Sequence, residues 1–178
     1  MIIREAGEGD LPAVLDIHRQ AFGQEEEAAL VEAIVRDPSA EPVLSLIAVE
    51  DDRPVGHILF SQVGLTESAT PVSAAILAPL AVVPAAQSRG IGGKLIEEGV
   101  ARLAASGVDL VFVLGYPDYY GRHGFAAAGP QGLDAPYPIA QEHTDAWMVR
   151  DLGKGLVGTV RGKVACCDAL DHPALWIE

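Results

Sequence analysis

The apolar positions of this chain switch repeatedly between two spacings. Residues 1–5, with Ile2 and Ile3 adjacent, predict a short first strand. Leu11, Val14, Leu15, His18 and Phe22 then recur at helical spacing until Gly23 breaks the pattern. Asp10 stands where an N-cap is expected, and Pro12 falls in the first turn. A second helix is expected over 24–36, with Ala28, Val31 and Val35 inward and Asp37-Pro38 ending it. Residues 42–50 read as a strand, Asp51-Asp52-Arg53-Pro54 as a turn, and 55–66 as the returning partner of a hairpin. The run 72–83 is a long apolar strand. After it, 91–105 is amphipathic with helical period and stops at Gly107, and 108–114 is a second buried strand. Residues 117–123 predict a short helix with Gly124 as its left-handed cap; 125–128 and 146–152 can pair as late strands. Strands alternating with helices, after one early hairpin, predict an α/β fold with a mixed sheet covered on both faces.

Composition narrows the class. The 178 residues suffice for one domain and fall short of two ordinary ones. With 49% hydrophobic residues the chain can bury a core. A net charge of −13 opposes nonspecific nucleic-acid binding, which depends on Lys and Arg facing phosphate. The same charge disfavours anionic ligands unless local basic groups offset it; Arg89, Lys94 and Arg102 are the candidates. Cys166 and Cys167 are the only cysteines, and adjacent cysteines are poorly placed for an ordinary disulfide, which suits a reducing cytoplasm. The charged start lacks the apolar core of a signal peptide. The longest apolar run, 74–86, is too short for a membrane span and contains Pro79 and Pro84. A cytoplasmic protein with no membrane partner is expected. The five histidines show no metal-ligand spacing.

The most informative segment joins the 72–83 strand to the 91–105 helix. Pro84 ends the strand, and Gln87, Ser88, Arg89, Gly90, Ile91, Gly92 and Gly93 lead into the helix. A glycine-rich turn at a helix N-terminus aims unpaired amides and the positive end of the helix dipole at one point, where an anion such as phosphate fits. A Walker A loop is excluded, because Ser88 stands in place of its first glycine and Leu95 in place of its final Ser or Thr. The dinucleotide fingerprint fails at its third glycine, also occupied by Leu95. A nucleophile elbow would need the strand to run straight into Ser88, but Pro84, Ala85, Ala86 and Gln87 intervene, leaving a serine hydrolase as a remote alternative.

The pattern that is present, Gln-x-x-Gly-x-Gly from Gln87 to Gly92, resembles the pyrophosphate motif of the GNAT superfamily of acyl-CoA-dependent N-acyltransferases. The preceding Leu-Ala-Val-x-Pro is similar to that family's fourth strand. Leu114 to Phe125 resembles its late Tyr-x-x-x-Gly-Phe element, in the form carried by a bacterial branch with Pro-Leu-Ala-Val and Tyr-Tyr-x-Arg-x-Gly-Phe. The resemblance spans roughly the first 150 residues and is clearest from Ile76 to Phe125. It implies the GNAT fold, with a mixed central sheet of about six or seven strands. It also implies one N-acetyltransferase domain over 1–178, with its core in 1–152 and no assignment for 153–178.

The resemblance further implies acetyl-CoA as cofactor and direct transfer of a short acyl group to a primary amine, on a small molecule or a protein. A homodimer is allowed but not required. Gln87, Ser88, Arg89, Gly90, Ile91, Gly92 and Gly93 would surround the pyrophosphate. Leu80, Ala81 and Val82 would present strand amides to the pantetheine arm and the thioester. Pro79, which donates no hydrogen bond, marks where regular pairing is expected to break. Tyr120 would be the general acid toward the leaving thiolate; Tyr119 is its adjacent rival. A phenol near pKa 10 and a thiol near 8.5 differ by roughly 2 kcal/mol, so a hydrogen bond to sulfur helps even without full proton transfer. No base is assigned: 72–83 contains no Asp, Glu or His; Glu26 and Glu27, in a segment that lines the acceptor groove in the family, read better as a solvated first turn; and Ser61 or Gln62 would act only through water. A CoA-binding regulatory module without turnover is the non-enzymatic alternative, and Tyr120 separates the two.

Overall fold

The computed structural model describes residues 1–177. The elements in chain order are β1 (Ile2–Glu5), α1 (Leu11–Phe22), α2 (Glu26–Val35), β2 (Leu44–Glu50), β3 (Arg53–Thr66) and β4 (Ala74–Val82). They continue with α3 (Ile91–Ala105), β5 (Leu110–Leu114), α4 (Pro117–Tyr120), β6 (Ala126–Ala127), β7 (Leu133–Asp134), β8 (Trp147–Asp151) and β9 (Gly162–Ala165). The sheet among these residues has nine strands, not six or seven. Its main order is β1-β2-β3-β4-β5-β8-β6, with β4 and β5 the parallel pair and their neighbours antiparallel. The extra strands are the two-residue β7 and the four-residue β9; β9 pairs with the far end of β3 and with β7. No amphipathic period announces elements this short, and β9 belongs to the stretch that carried no assignment.

Alternation along β3 sorts the two layers. Gly56 abuts Leu95 and Ile91 of α3, and the Phe60 ring fills the place of a side chain at Gly99. The His57 ring points the other way and meets His18 of α1. One core runs through both layers, with Phe60, Phe112, Ile58, Leu95 and Ile96 fully enclosed. Gly23 and Gly124 both adopt left-handed conformations as helix terminators, which a Cβ would disfavour. Asp10 departs from expectation: its carboxylate accepts from the Gly7 amide and pairs with Arg4, and does not cap α1.

Two irregularities shape the centre of the sheet. Between Ile58 and Phe60 the β3–β4 register shifts, so Leu59 alone spans Ala78 and Pro79. This is a bulge at the proline, as its missing N–H predicts. Parallel pairing of β4 with β5 then runs only from Ala74 with Leu110 to Leu77 with Val113. Beyond Leu77 the edge of β4 that faces β5 carries no strand pairing, and the two strands part.

Candidate cofactor and acyl-transfer site

A cavity of about 870 Å³ lies at the mouth of this split. It is walled by Val82, by the turn and first residues of α3 from Ala86 to Lys94, and by Tyr119, Arg122 and His123. The turn is held in shape from within. Pro84–Ala86 forms a 3-10 turn, and the Gln87 side-chain amide donates to the Val82 carbonyl at 2.9 Å, tying the loop to the end of β4. Ser88 and Gly90 both have positive φ, 63° and 81°. That pair of left-handed residues turns successive amides to one side. The N–H groups of the six residues Ser88 to Gly93 have no hydrogen-bond acceptor among the described residues, whereas Lys94 N–H already closes on Gly90.

Two glycines serve different ends here. Gly90 is needed for its φ, since a Cβ there would meet nothing. At Gly92 a Cβ would collide with the Tyr119 hydroxyl, so the glycine admits that ring to the cavity wall. The charges are also sorted. Arg89 is engaged with Glu50 of β2 at 2.7 Å, so its guanidinium braces the loop. Arg102 is engaged by Glu98. Lys94 makes no ion pair among the described residues and lines the cavity, and Arg122 lies over the Tyr119 ring at 5.3 Å from its centroid. Glu97, the one carboxylate on the wall, is bound by Arg150.

The structure brings Val82, Gln87, Ser88, Gly90, Ile91, Gly92 and Gly93 to one cavity wall. Leu80 and Ala81 lie on the unpaired stretch of β4 just behind it, and the Arg89 side chain turns to Glu50. Tyr119 and Tyr120 divide as adjacent helical residues must. Tyr119 is on the cavity wall and half-buried. Tyr120 lies beneath, edge-on to Tyr119 and Phe125, with its ring where a Gly115 side chain would be. Burial raises the Tyr120 pKa well above the usual phenol range, so the group holds its proton. Tyr119 is raised too, by burial, with Arg122 opposing. Of the base candidates, Ser61 is fully buried with an unpartnered hydroxyl, Gln62 is exposed, and Glu27 accepts hydrogen bonds from Gln24. Arg122 and His123, inside the Tyr-Tyr-x-Arg-x-Gly-Phe element, also stand on the wall.

A mixed sheet that splits between two parallel strands, with a nest of free amides at the split, defines a protein built to hold an anionic, phosphate-bearing ligand beside an open strand edge. A family model described as an acetyltransferase (GNAT) domain matches residues 2–128. The chain belongs to this GNAT acetyltransferase family. It is 41% identical over 167 residues to the uncharacterized N-acetyltransferase YjhQ of Escherichia coli, covering 93% of this chain and 92% of that protein. The crystal structure of Escherichia coli YhbS in complex with CoA superposes with a TM-score of 0.86 at 27% identity, covering 96% of this chain and 92% of the other. A GNAT acetyltransferase from Brucella melitensis in complex with acetyl-CoA gives a TM-score of 0.75 at 30% identity, with 96% and 97% covered. No helix among the described residues is long and apolar enough to cross a membrane.

Proposed function

We propose that this protein transfers an acetyl group from acetyl-CoA to a primary amine by direct attack within a ternary complex. The observation that carries the reading is the run of six unpaired amides from Ser88 to Gly93 on the wall of an 870 Å³ cavity at the β4–β5 split. Amides left free at a turn and helix N-terminus favour an anion, and a diphosphate satisfies several at once. Lys94 and Arg122 add charge at the rim. From there the split leads along the free edge of β4, where backbone groups of Leu80, Ala81 and Val82 hold the pantetheine arm and face the thioester carbonyl. As the amine attacks, the carbonyl oxygen becomes an oxyanion, and a fixed strand amide stabilises it without reorganising.

Tyr120 acts on the leaving thiolate. Its raised pKa makes outright proton donation to a thiolate more uphill than between the free groups, so its contribution is a hydrogen bond to sulfur as charge develops. Tyr119, on the cavity wall, is the second candidate for that contact. The acceptor is an amine on a small molecule or a protein.

Calorimetry with CoA, and thiol release from acetyl-CoA in the presence of an amine panel, test the reading directly. The panel comprises alkyl amines, diamines, aminoglycosides, amino acid esters and lysine peptides. CoA binding together with amine-dependent thiol release is the expected result. No heat of binding at saturating CoA would overturn it.

A further inference from the structure

Three polar side chains lie end to end in the apolar layer between α1 and the sheet. His18 of α1 and His57 of β3 meet through Nε2 and Nδ1 at 2.9 Å, and His57 Nε2 meets the Ser45 hydroxyl of β2 at 2.8 Å. Both imidazoles are fully buried. The chain has two ends. At one, His18 Nδ1 is buried without a partner among the described residues. At the other, half-buried Ser45 lines a separate cavity of about 410 Å³ with Glu8 and Arg36.

Its position is specific. His57 is opposite Ala81 in the β3–β4 register, and directly paired residues project from the same face of a sheet. The His57 ring therefore shares a face with the middle residue of the segment that faces the thioester. α1 packs over that face, on both β3 and β4. Ser61 follows along the same face of β3, its hydroxyl also buried and unpartnered. Unpartnered polar atoms in such a layer are where buried water is expected. No charged side chain of α1, α2, β2, β3 or β4 acts on His18, and His18 alone acts on His57. Glu8 and Arg36 stand at the Ser45 outlet.

An amine arrives largely as ammonium and must lose a proton before it attacks, and β4 offers no group to take it. We propose that His18, His57 and Ser45 form a proton-transfer chain that removes the acceptor's proton and releases one into the cavity beside Glu8. This inference rests on the acetyl-transfer reading. His18 Nδ1, being buried, accepts the ammonium proton across intervening water, which leaves the amine neutral with its lone pair free. The His18 Nε2 proton passes to His57 Nδ1, the His57 Nε2 proton to Ser45 Oγ, and the original hydroxyl proton to water in the cavity. One proton enters, one leaves, and both rings end neutral with their hydrogen bonds reversed. Exchange with water in the empty site restores the starting direction. His18 and His57 are linked by one proton between two neutral rings, which is the arrangement such a shuttle needs.

The test compares His57→Phe and Ser45→Ala with wild type, using acetyl-CoA and whichever primary amine of the panel the wild type turns over fastest, from pH 6.5 to 9.5. The chain predicts that kcat of His57→Phe falls at least roughly 10-fold near pH 7 and recovers toward wild type as solvent deprotonates the amine, with KM for acetyl-CoA within about twofold. Ser45→Ala keeps both rings and loses only the outlet; it shows a smaller deficit with the same pH-dependent recovery. A deficit constant across pH, or a full rate near pH 7 in either folded variant, overturns the proposal and leaves acetyl transfer standing. If His57→Phe does not fold, Ser45→Ala decides alone. A wild type that binds no CoA and releases no thiol removes both readings together.

Discussion

Acidification from pH 7 to pH 5 isolates the buried histidine pair from almost everything else that titrates on folding. Desolvation pushes both imidazoles well below the usual range, His18 to about 4, with His57 lowered further by the charge His18 would carry. In the unfolded chain both titrate near 6.5. The folded pKa values are depressed, so the unfolded state binds protons first as pH falls. Stability is full above 6.5 and is lost progressively below it. At about 1.36 kcal/mol per pH unit per group, reaching pH 5 costs roughly 2 kcal/mol for each imidazole and roughly 4 for the pair. The carboxylates stay out of this window. Asp10 is held at about 2 by Arg4, and Asp37, Asp109 and Asp151 are lowered as well, so their contributions go only below their unfolded values near 3.9. Urea unfolding at pH 7.0, 6.0, 5.5 and 5.0 measures the effect. With a urea slope of about 2 kcal/mol per molar, the midpoint should fall by roughly 2 M across the range. A midpoint constant within about 0.3 M would show that both imidazoles gain protons as readily in the folded protein as in the unfolded chain, and their depression by burial would be wrong.

Other substitutions probe the site and its frame. Gly92→Val places a branched side chain into the Tyr119 hydroxyl and the amide nest, and should weaken CoA binding by at least roughly 10-fold in calorimetry without unfolding the protein; unchanged affinity would remove the loop assignment. Tyr120→Phe should lower kcat by roughly 10²-fold with acetyl-CoA affinity nearly unchanged, while Tyr119→Phe, altering the cavity wall, should act more on affinity; the reverse ranking would move the thiolate contact to Tyr119. Asp151 accepts from the amides of Gly153, Lys154, Gly155 and Val157, so Asp151→Ala should cost about 2 kcal/mol in urea unfolding and leave CoA affinity intact.

Legibility followed the range of the forces involved. Long elements with a clear period were readable: Ile91–Ala105 falls where its amphipathic spacing and Gly107 put it, and the parallel strands of the split appear as the two most apolar runs. The bulge at Ala78-Pro79 was readable because proline withholds a donor whatever surrounds it. What depends on distant partners was not. Arg89 looks like a phosphate ligand until Glu50, 39 positions earlier, is found beside it. His18 and His57 read as unrelated because nothing in a sequence announces a contact over the same separation between a helix and a strand. Tyr119 and Tyr120 could be told apart only once the short α4 helix had been placed against Gly92 and Gly115.

The net charge of −13 and the proposed binding of a polyanion are reconciled by distance. Exposed charges beyond about 8 Å are largely screened at physiological ionic strength, so the acidic surface matters less than what touches the ligand. Within touching range the protein spends little ionic charge: Arg89 is committed to Glu50, Arg102 to Glu98, and Glu97 is answered by Arg150. What remains is a fixed set of backbone dipoles, the start of α3, Lys94 and Arg122. Dipoles of that kind attract a diphosphate only where it docks, whereas a basic patch would also draw nucleic acid. The same economy holds on the opposite face of the sheet. An ionised carboxylate on β4 would have to be buried beside the thioester at considerable cost, and that strand carries none. A pair of neutral imidazoles can be buried there with its hydrogen bonds largely met, and it moves a proton without keeping the charge.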